Sequence, residues 1–456
     1  MGEILIKHAD AVITCDAQDR VLKNCDILVE NNKIKKIGAN IHADGAEVID
    51  ASGKFVYPGL VNTHHHLMQA FTRNIPVIQN SELFDWLMYL YKVWERVTPE
   101  FMYYSSMVAM GEFVKFGGTT MFDQHFAFPR SADKEIIDSE FRAADELGVR
   151  FHAGRSCFTR GKENGGLPPE ELVETCDETL ADCTRLIEKY HDPSEFSMRQ
   201  VVVAPCSPFS VDTKVMVESA KLARDKGVRL HTHLCETMDE ERYCLEVYHD
   251  RPLDWAEKCG WLGSDVWYAH GIHFTDEEVK RLADTQTGVA HCPVSNMKLA
   301  SGICKVPLML KLGVPVGLAV DGNGSNDDSN LLADIRVCFL LHRLNSSHEA
   351  PSGYDCLKLA TTGSAKLLGR SDIGSLTEGK AADLFMIDTD QLDYVGGLLD
   401  PAAFLGTIGY SRPVWMTMIN GKVVYRDGRL IGIDEEKLRK EASEVVARVY
   451  TDLPTE

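Results

Sequence analysis

Phe55-Val56-Tyr57-Pro58-Gly59-Leu60-Val61-Asn62-Thr63-His64-His65-His66 is an apolar, strand-like run that opens directly onto three histidines. Side chains two apart on a strand point the same way, so His64 and His66 can offer two imidazoles to one metal ion where the strand ends. His65 points to the opposite face and reads as a packing residue. A histidine triplet alone also suits a flexible tract or a hydrogen-bonded core. The rest of the chain decides between these readings.

Working outward, strand-like and helix-like segments alternate through the middle of the chain. Eight strand candidates fall at 55–61, 119–123, 150–154, 200–204, 229–233, 266–270, 288–292 and 314–321. Eight parallel strands with intervening helices predict a (β/α)8 TIM barrel, whose active site lies at the C-terminal ends of its strands. Both chain ends carry short β-type runs instead, among them Ala11-Val12-Ile13-Thr14, Asp26-Ile27-Leu28-Val29 and Ala382-Asp383-Leu384-Phe385-Met386-Ile387. Asn420-Gly421 between two β-rich runs is a hairpin signal. The expected organisation is a small β-sandwich domain built from 1–57 and 371–456, with a terminal helix, around a barrel over 58–370.

Composition narrows the function classes. The 456 residues are 44% hydrophobic and 25% charged, with a formal charge of −20. Such an acidic chain excludes nucleic acid and anionic membranes as expected partners. No apolar run reaches the length of a membrane span, and Met1-Gly2-Glu3-Ile4-Leu5-Ile6-Lys7 lacks a signal-peptide layout. The thirteen cysteines are odd in number and form no CxxC pair, which reads as reduced thiols in a cytoplasmic protein.

Metal-ligand residue types recur at the ends of the predicted strands. His64 and His66 end the first, His233 the fifth and Asp321 the eighth. Three imidazoles and a carboxylate suit one divalent ion, Zn²⁺ or Fe²⁺, with room for a water. The fourth strand ends Ala204-Pro205-Cys206-Ser207, without a Lys or Glu to bridge a second ion. His231 lies on the face of His233 but deeper, and reads as a buried core histidine. Bound metal lowers the pKa of water toward neutrality, so proton carriers are needed beside it. Glu236, three residues past His233, can protonate a substrate ring nitrogen; His270 can polarise the attacking water, and Asp321 can take its proton. Taken singly, Glu236 also fits a helix start, His270 a packed ring and Asp321 a turn. Their joint placement favours a hydrolytic site.

In these motifs, with Gly374-Ser375-Leu376-Thr377-Glu378-Gly379-Lys380-Ala381-Ala382-Asp383-Leu384 near the end, the chain resembles the amidohydrolase superfamily over nearly its whole length. The resemblance is to the branch of aminohydrolases acting on purines, pterins and triazines. It implies His64, His66, His233 and Asp321 as metal ligands, Glu236, His270 and Asp321 as the proton-transfer set, and a homo-oligomer. The stretches Glu82-Leu83-Phe84, Gly165-Gly166-Leu167-Pro168-Pro169, Ala204-Pro205-Cys206-Ser207-Pro208-Phe209-Ser210 and Ala300-Ser301-Gly302 resemble 8-oxoguanine deaminases. That implies conversion of 8-oxoguanine to urate, with isoxanthopterin, hydroxytriazine and S-adenosylhomocysteine-type deamination as alternatives. A departure is Gln124, where those enzymes tend to carry a histidine. A non-catalytic scaffold is disfavoured by the retained ligands, and a two-metal amidase by the absent bridging lysine.

Ring recognition falls to softer candidates. Gln69 can donate and accept through one amide, Trp86 can stack on a planar ring, and Arg155 can bind a carbonyl oxygen or anion. Cys206 suits a small pocket wall. Each also has a structural alternative: a surface Gln, a core Trp at helical spacing from Leu83, Leu87 and Leu90, and an Arg paired with an acidic neighbour.

Overall fold

The computed structural model describes residues 2–453. The N-terminal strands β1 (Glu3–Ile13), β2 (Val21–Glu30), β3 (Lys33–Gly38), β4 (Glu47–Asp50) and β5 (Lys54–Pro58) precede a barrel. Its strands are β6 (Leu60–Asn62), β7 (Gly118–His125), β8 (Arg150–Arg155), β9 (Arg199–Val203), β10 (Arg229–Leu234), β11 (Val266–His270), β12 (Gly288–His291) and β13 (Val316–Leu318). Four C-terminal strands, β14 (Leu384–Asp388), β15 (Met416–Ile419), β16 (Lys422–Arg426) and β17 (Arg429–Leu430), return to the first group.

The eight barrel strands are parallel and pair in chain order. Strands β7, β8 and β11 are buried along their whole length, as expected when helices cover a parallel sheet. The seam between β6 and β13 closes through polar groups: Val320 N–H donates to Asn62 Oδ1 (3.0 Å), Thr63 Oγ1 donates to Leu318 O (3.1 Å) and Asp321 N–H donates to His64 O (3.1 Å). These bonds place the segments bearing His64 and Asp321 side by side.

The small domain is one continuous nine-stranded mixed sheet in which β5 lies between β1 and β14. Ile6, Val12, Ile27, Val56, Met386 and Met418 pack a separate apolar core against it. The expected two layers are therefore parts of a single sheet. The Asn420-Gly421 hairpin forms, with φ of 50° and 75° at its two turn residues.

One expectation is corrected by this topology. The run 55–61 is not a single barrel strand: Lys54–Pro58 belongs to the small sheet and Leu60–Asn62 to the barrel. Gly59 makes the transfer, and a Cβ there would lie 2.2 Å from Thr119 Oγ1, so no larger residue fits. His64 and His66 consequently lie beyond the strand end. The chain stays near-extended at His66, with φ −134° and ψ 88°, and the two rings still meet, with centroids 4.7 Å apart.

Candidate active site

Four groups converge at the barrel mouth. His66 Nε2 lies 3.2 Å from His233 Nε2, and Asp321 Oδ1 lies 3.4 Å from both His64 Nε2 and His66 Nε2. All four residues are buried. Burial disfavours the charged form of each imidazole and pushes His233 down to about 3, so the rings are neutral.

The protons on these rings can be placed from their partners. His66 Nδ1–H donates to Gln124 O (2.8 Å) and His233 Nδ1–H to Cys206 O (2.7 Å), because a carbonyl only accepts. His231 Nδ1–H donates to Trp267 O (3.0 Å), which leaves its Nε2 to accept from His64 Nδ1–H (2.9 Å). All three Nε2 atoms of His64, His66 and His233 are therefore lone pairs. Two of them face each other at 3.2 Å, and His64 Nε2, 3.4 Å from Asp321 Oδ1, accepts no hydrogen bond. Donors held 2.0–2.1 Å from a tetrahedral ion stand about 3.3 Å apart. With lone pairs, a carboxylate and this spacing, these residues could hold a divalent cation. His231, expected only to fill the core, fixes the tautomer of His64.

Asp321 is clamped. Its Oδ2 accepts from Ser295 Oγ (2.6 Å) and Ser325 Oγ (3.1 Å), and its Oδ1 from Gly322 N–H (2.6 Å). Asp321 and His270 both adopt positive φ, 65° and 73°, an unusual backbone that concentrates at working sites. Asn296 Nδ2 donates to His270 Nδ1 (2.9 Å), so the His270 proton sits on Nε2, 3.6 Å from Glu236 Oε2. Burial, then the negative charges of Asp321 and Glu240, push the Glu236 carboxyl well above its ordinary value. Glu240 holds the turn beneath it by accepting from the N–H groups of Cys235 and Glu236. Serines 295 and 325 and Asn296 carried no recognisable motif, because their roles arise from helices that start just beyond barrel strands.

A cavity opens over these groups. His66, His233, Glu236, His270 and Asp321 form its floor. Gln69, Trp86 and Cys206 line it, beside Leu83, Leu87, Tyr91, Phe126, Phe158, Phe209 and Leu299. Gln69 Oε1 accepts from Gly324 N–H (3.1 Å), which leaves its NH₂ group for a ligand. Burial pushes the Cys206 thiol up to about 12, which suits a wall rather than a nucleophile.

Arg155 does not reach this cavity, which corrects the expectation that it binds substrate. Its guanidinium is buried between Glu174 (2.7 and 2.8 Å) and Asp182 (2.8 Å) and packs over the Phe128 ring. Gln124 is absent from the cavity wall as well; its Nε2 donates to Ala204 O (3.0 Å) and Pro205 O (3.3 Å). His65 turns away from the cavity toward Ser329 Oγ (3.0 Å).

The profile of the Amidohydrolase family matches residues 55–424. The chain belongs to the amidohydrolase family. This amidohydrolase is 42% identical over 453 residues to the hydroxydechloroatrazine ethylaminohydrolase of Pseudomonas sp. (strain ADP), covering 96% of this chain and 94% of that one. It is 41% identical over 437 residues to the 8-oxoguanine deaminase of Pseudomonas aeruginosa, covering 95% and 96%. The zinc-complexed atrazine chlorohydrolase of Arthrobacter aurescens TC1 superposes with a TM-score of 0.93 at 34% identity, covering 97% and 100%.

Proposed function

We propose that this amidohydrolase hydrolytically removes the amino group of a heteroaromatic ring, with 8-oxoguanine, converted to urate and ammonia, as its substrate. The observation that carries the reading is the convergence of three imidazole lone pairs and one carboxylate beside a buried glutamic acid, Glu236, whose carboxyl burial pushes upward. A divalent cation held by His64, His66, His233 and Asp321, zinc in our reading, would supply water activation at neutral pH.

The chain's own groups account for the proton movements. In this reading the ring sits in the cavity that Trp86 and Gln69 line, with Trp86 against one face and the Gln69 NH₂ group at one edge. Glu236 donates its proton to the ring nitrogen next to the amino-bearing carbon, which makes that carbon electrophilic. Water adds there, and its proton passes to Asp321. The His270 Nε2–H donates to the adding oxygen, with the Asn296 bond to Nδ1 keeping the proton on that nitrogen. Asp321 then gives its proton to the departing amine, and the remaining hydroxyl proton passes to the Glu236 carboxylate as the carbonyl forms. The balance is ring–NH₂ plus water to ring carbonyl plus ammonia, with no covalent enzyme intermediate.

The 41% identical 8-oxoguanine deaminase supports the substrate. A second reading has its own observation. Eight of the cavity-lining residues are apolar or aromatic, from Leu83 to Leu299, and such a wall suits an N-alkylamino hydroxytriazine, in line with the 42% identical ethylaminohydrolase. Release of ammonia or alkylamine from 8-oxoguanine, guanine, isoxanthopterin, adenosine derivatives and aminohydroxytriazines separates the two. A preference for 8-oxoguanine supports the first; a preference for triazines transfers the same chemistry to another ring.

We place the enzyme in cytoplasmic purine metabolism as a homo-oligomer. All thirteen cysteines are buried and unpaired, in keeping with a reducing compartment. Leu344, Leu392, Val395 and Leu399 are each more than 80% exposed, apolar surface that association would cover. Among the described residues no helix is long and apolar enough to cross a membrane.

A further inference from the structure

Behind the active site, the barrel wall buries a second convergence of acceptors. Asp123 and His125 come from β7 and Glu140 from the helix Ile136–Leu147 that covers it. The three residues are 0%, 1% and 0% exposed, and their ligand atoms lie within 4.8 Å of one another. His125 Nε2–H donates to Ala127 O (2.7 Å), so its Nδ1 is a lone pair, and it faces Glu140 Oε1 at 3.4 Å. Asp123 Oδ1 accepts from Leu67 N–H (2.5 Å). His125 Nδ1, Asp123 Oδ2 and both Glu140 oxygens have no hydrogen-bond donor, and among the described residues no lysine or arginine pairs with either carboxylate. Two buried carboxylates beside an imidazole lone pair need either a cation or shared protons between them, and burial pushes both carboxyls upward, that of Glu140 further through the charge of Asp123.

We propose that Asp123, His125 and Glu140 hold a second divalent cation of the Zn²⁺ or Mn²⁺ type, separate from the active-site ion. One such ion neutralises the two carboxylates; the 3.4 Å between His125 Nδ1 and Glu140 Oε1 suits two donors of one centre, with the Asp123 donor within 4.8 Å. The imidazole also meets the usual requirement of a ligand histidine, since its other ring nitrogen already donates to a carbonyl. A rival cluster, His291, Cys338 and His342, fails that requirement. Its Nε2 atoms are 3.2 Å apart, but neither Nδ1 has a partner, so a cation there would strand two buried N–H donors. The role of the second ion is to anchor β7, because Asp123 holds the Leu67 N–H and the neighbouring Gln124 carbonyl holds His66.

The test is metal stoichiometry by plasma mass spectrometry on full-length protein reconstituted with excess Zn²⁺ or Mn²⁺ and passed into metal-free buffer. Wild type should retain two ions per chain. Glu140→Gln should retain one, and His66→Ala should retain one, lost from the other site. X-ray absorption on His66→Ala should then report oxygen-rich coordination with a single imidazole. One ion per chain in reconstituted wild type overturns the proposal and leaves protons to fill the cluster. So does a Glu140→Gln protein that keeps two ions, or a residual ion in His66→Ala ligated by several imidazoles. Because the wild-type count decides alone, the test survives a variant that does not fold.

Discussion

Replacing His231 with leucine should weaken divalent-metal binding by about 10- to 100-fold, although His231 donates nothing to the metal directly. The chain of bonds from Trp267 O through His231 to His64 Nδ1 is what turns the His64 Nε2 lone pair toward its partners. Leucine removes the acceptor and leaves a fully buried His64 N–H unpaired, a loss of about 1–3 kcal/mol. At about 1.4 kcal/mol per tenfold, that range agrees with the expected drop in affinity. His231 also packs between Phe122 and Trp267, with ring centroids 4.8 and 4.6 Å away, so leucine disturbs packing as well. His231→Gln separates the two effects, because its carbonyl oxygen can still accept from His64. Competition against a fluorescent chelator measures both affinities, with thermal unfolding as the control for packing. A leucine variant that binds metal as tightly as wild type refutes the tautomer argument, as does a glutamine variant no better than leucine.

Arg155→Met should lower the melting temperature sharply, because it strands the carboxylates of Glu174 and Asp182; about 3–5 kcal/mol is typical of breaking a buried pair. Its KM should stay at the wild-type value, since Arg155 lies outside the cavity; a selective rise in KM would return it to the substrate site. Trp86→Ala should raise KM for the ring several-fold with a smaller effect on kcat, given about 1 kcal/mol for an aromatic pair, and an unchanged KM would remove Trp86 from the slot. Burial works against ionisation of Asp372, yet the hydrogen bonds from Arg370 and the Phe196 N–H hold its carboxyl at about 2 rather than 3.8. A pKa lowered on folding contributes stability above pH 4 that is lost as pH falls toward 2. Asp372→Asn should therefore cost about 1–2 kcal/mol at neutral pH and flatten the acid limb of urea-unfolding stability; an unaltered acid limb would contradict this.

The convergence of strand ends was legible because the alternation of segments places residues 64, 66, 233, 236, 270 and 321 at one end of a barrel whichever helices intervene. The break at Gly59 was not, since the apolar run is continuous and the close approach of the Thr119 side chain, sixty residues on, leaves no mark in the local sequence. Arg155 was misread for a related reason: its partners Glu174 and Asp182 lie 19 and 27 residues away, in a loop and a helix whose approach to β8 no local pattern encodes. His231 was recognised as buried, but its orienting role depends on a contact with His64 across 167 residues. The cavity wall has the same origin, since Leu83, Trp86, Phe126, Phe158 and Phe209 are ordinary apolar residues until the barrel loops assemble them.

Glu236 as the acid of ring deamination beside the metal site is tested most directly by comparing wild type with Glu236→Gln. The measurement is stoichiometric ammonia and urate release from 8-oxoguanine, with bound metal quantified on the same samples. The account predicts turnover in wild type and its near-complete loss in Glu236→Gln with metal content unchanged. Near-normal ammonia release by Glu236→Gln at full metal occupancy would contradict it.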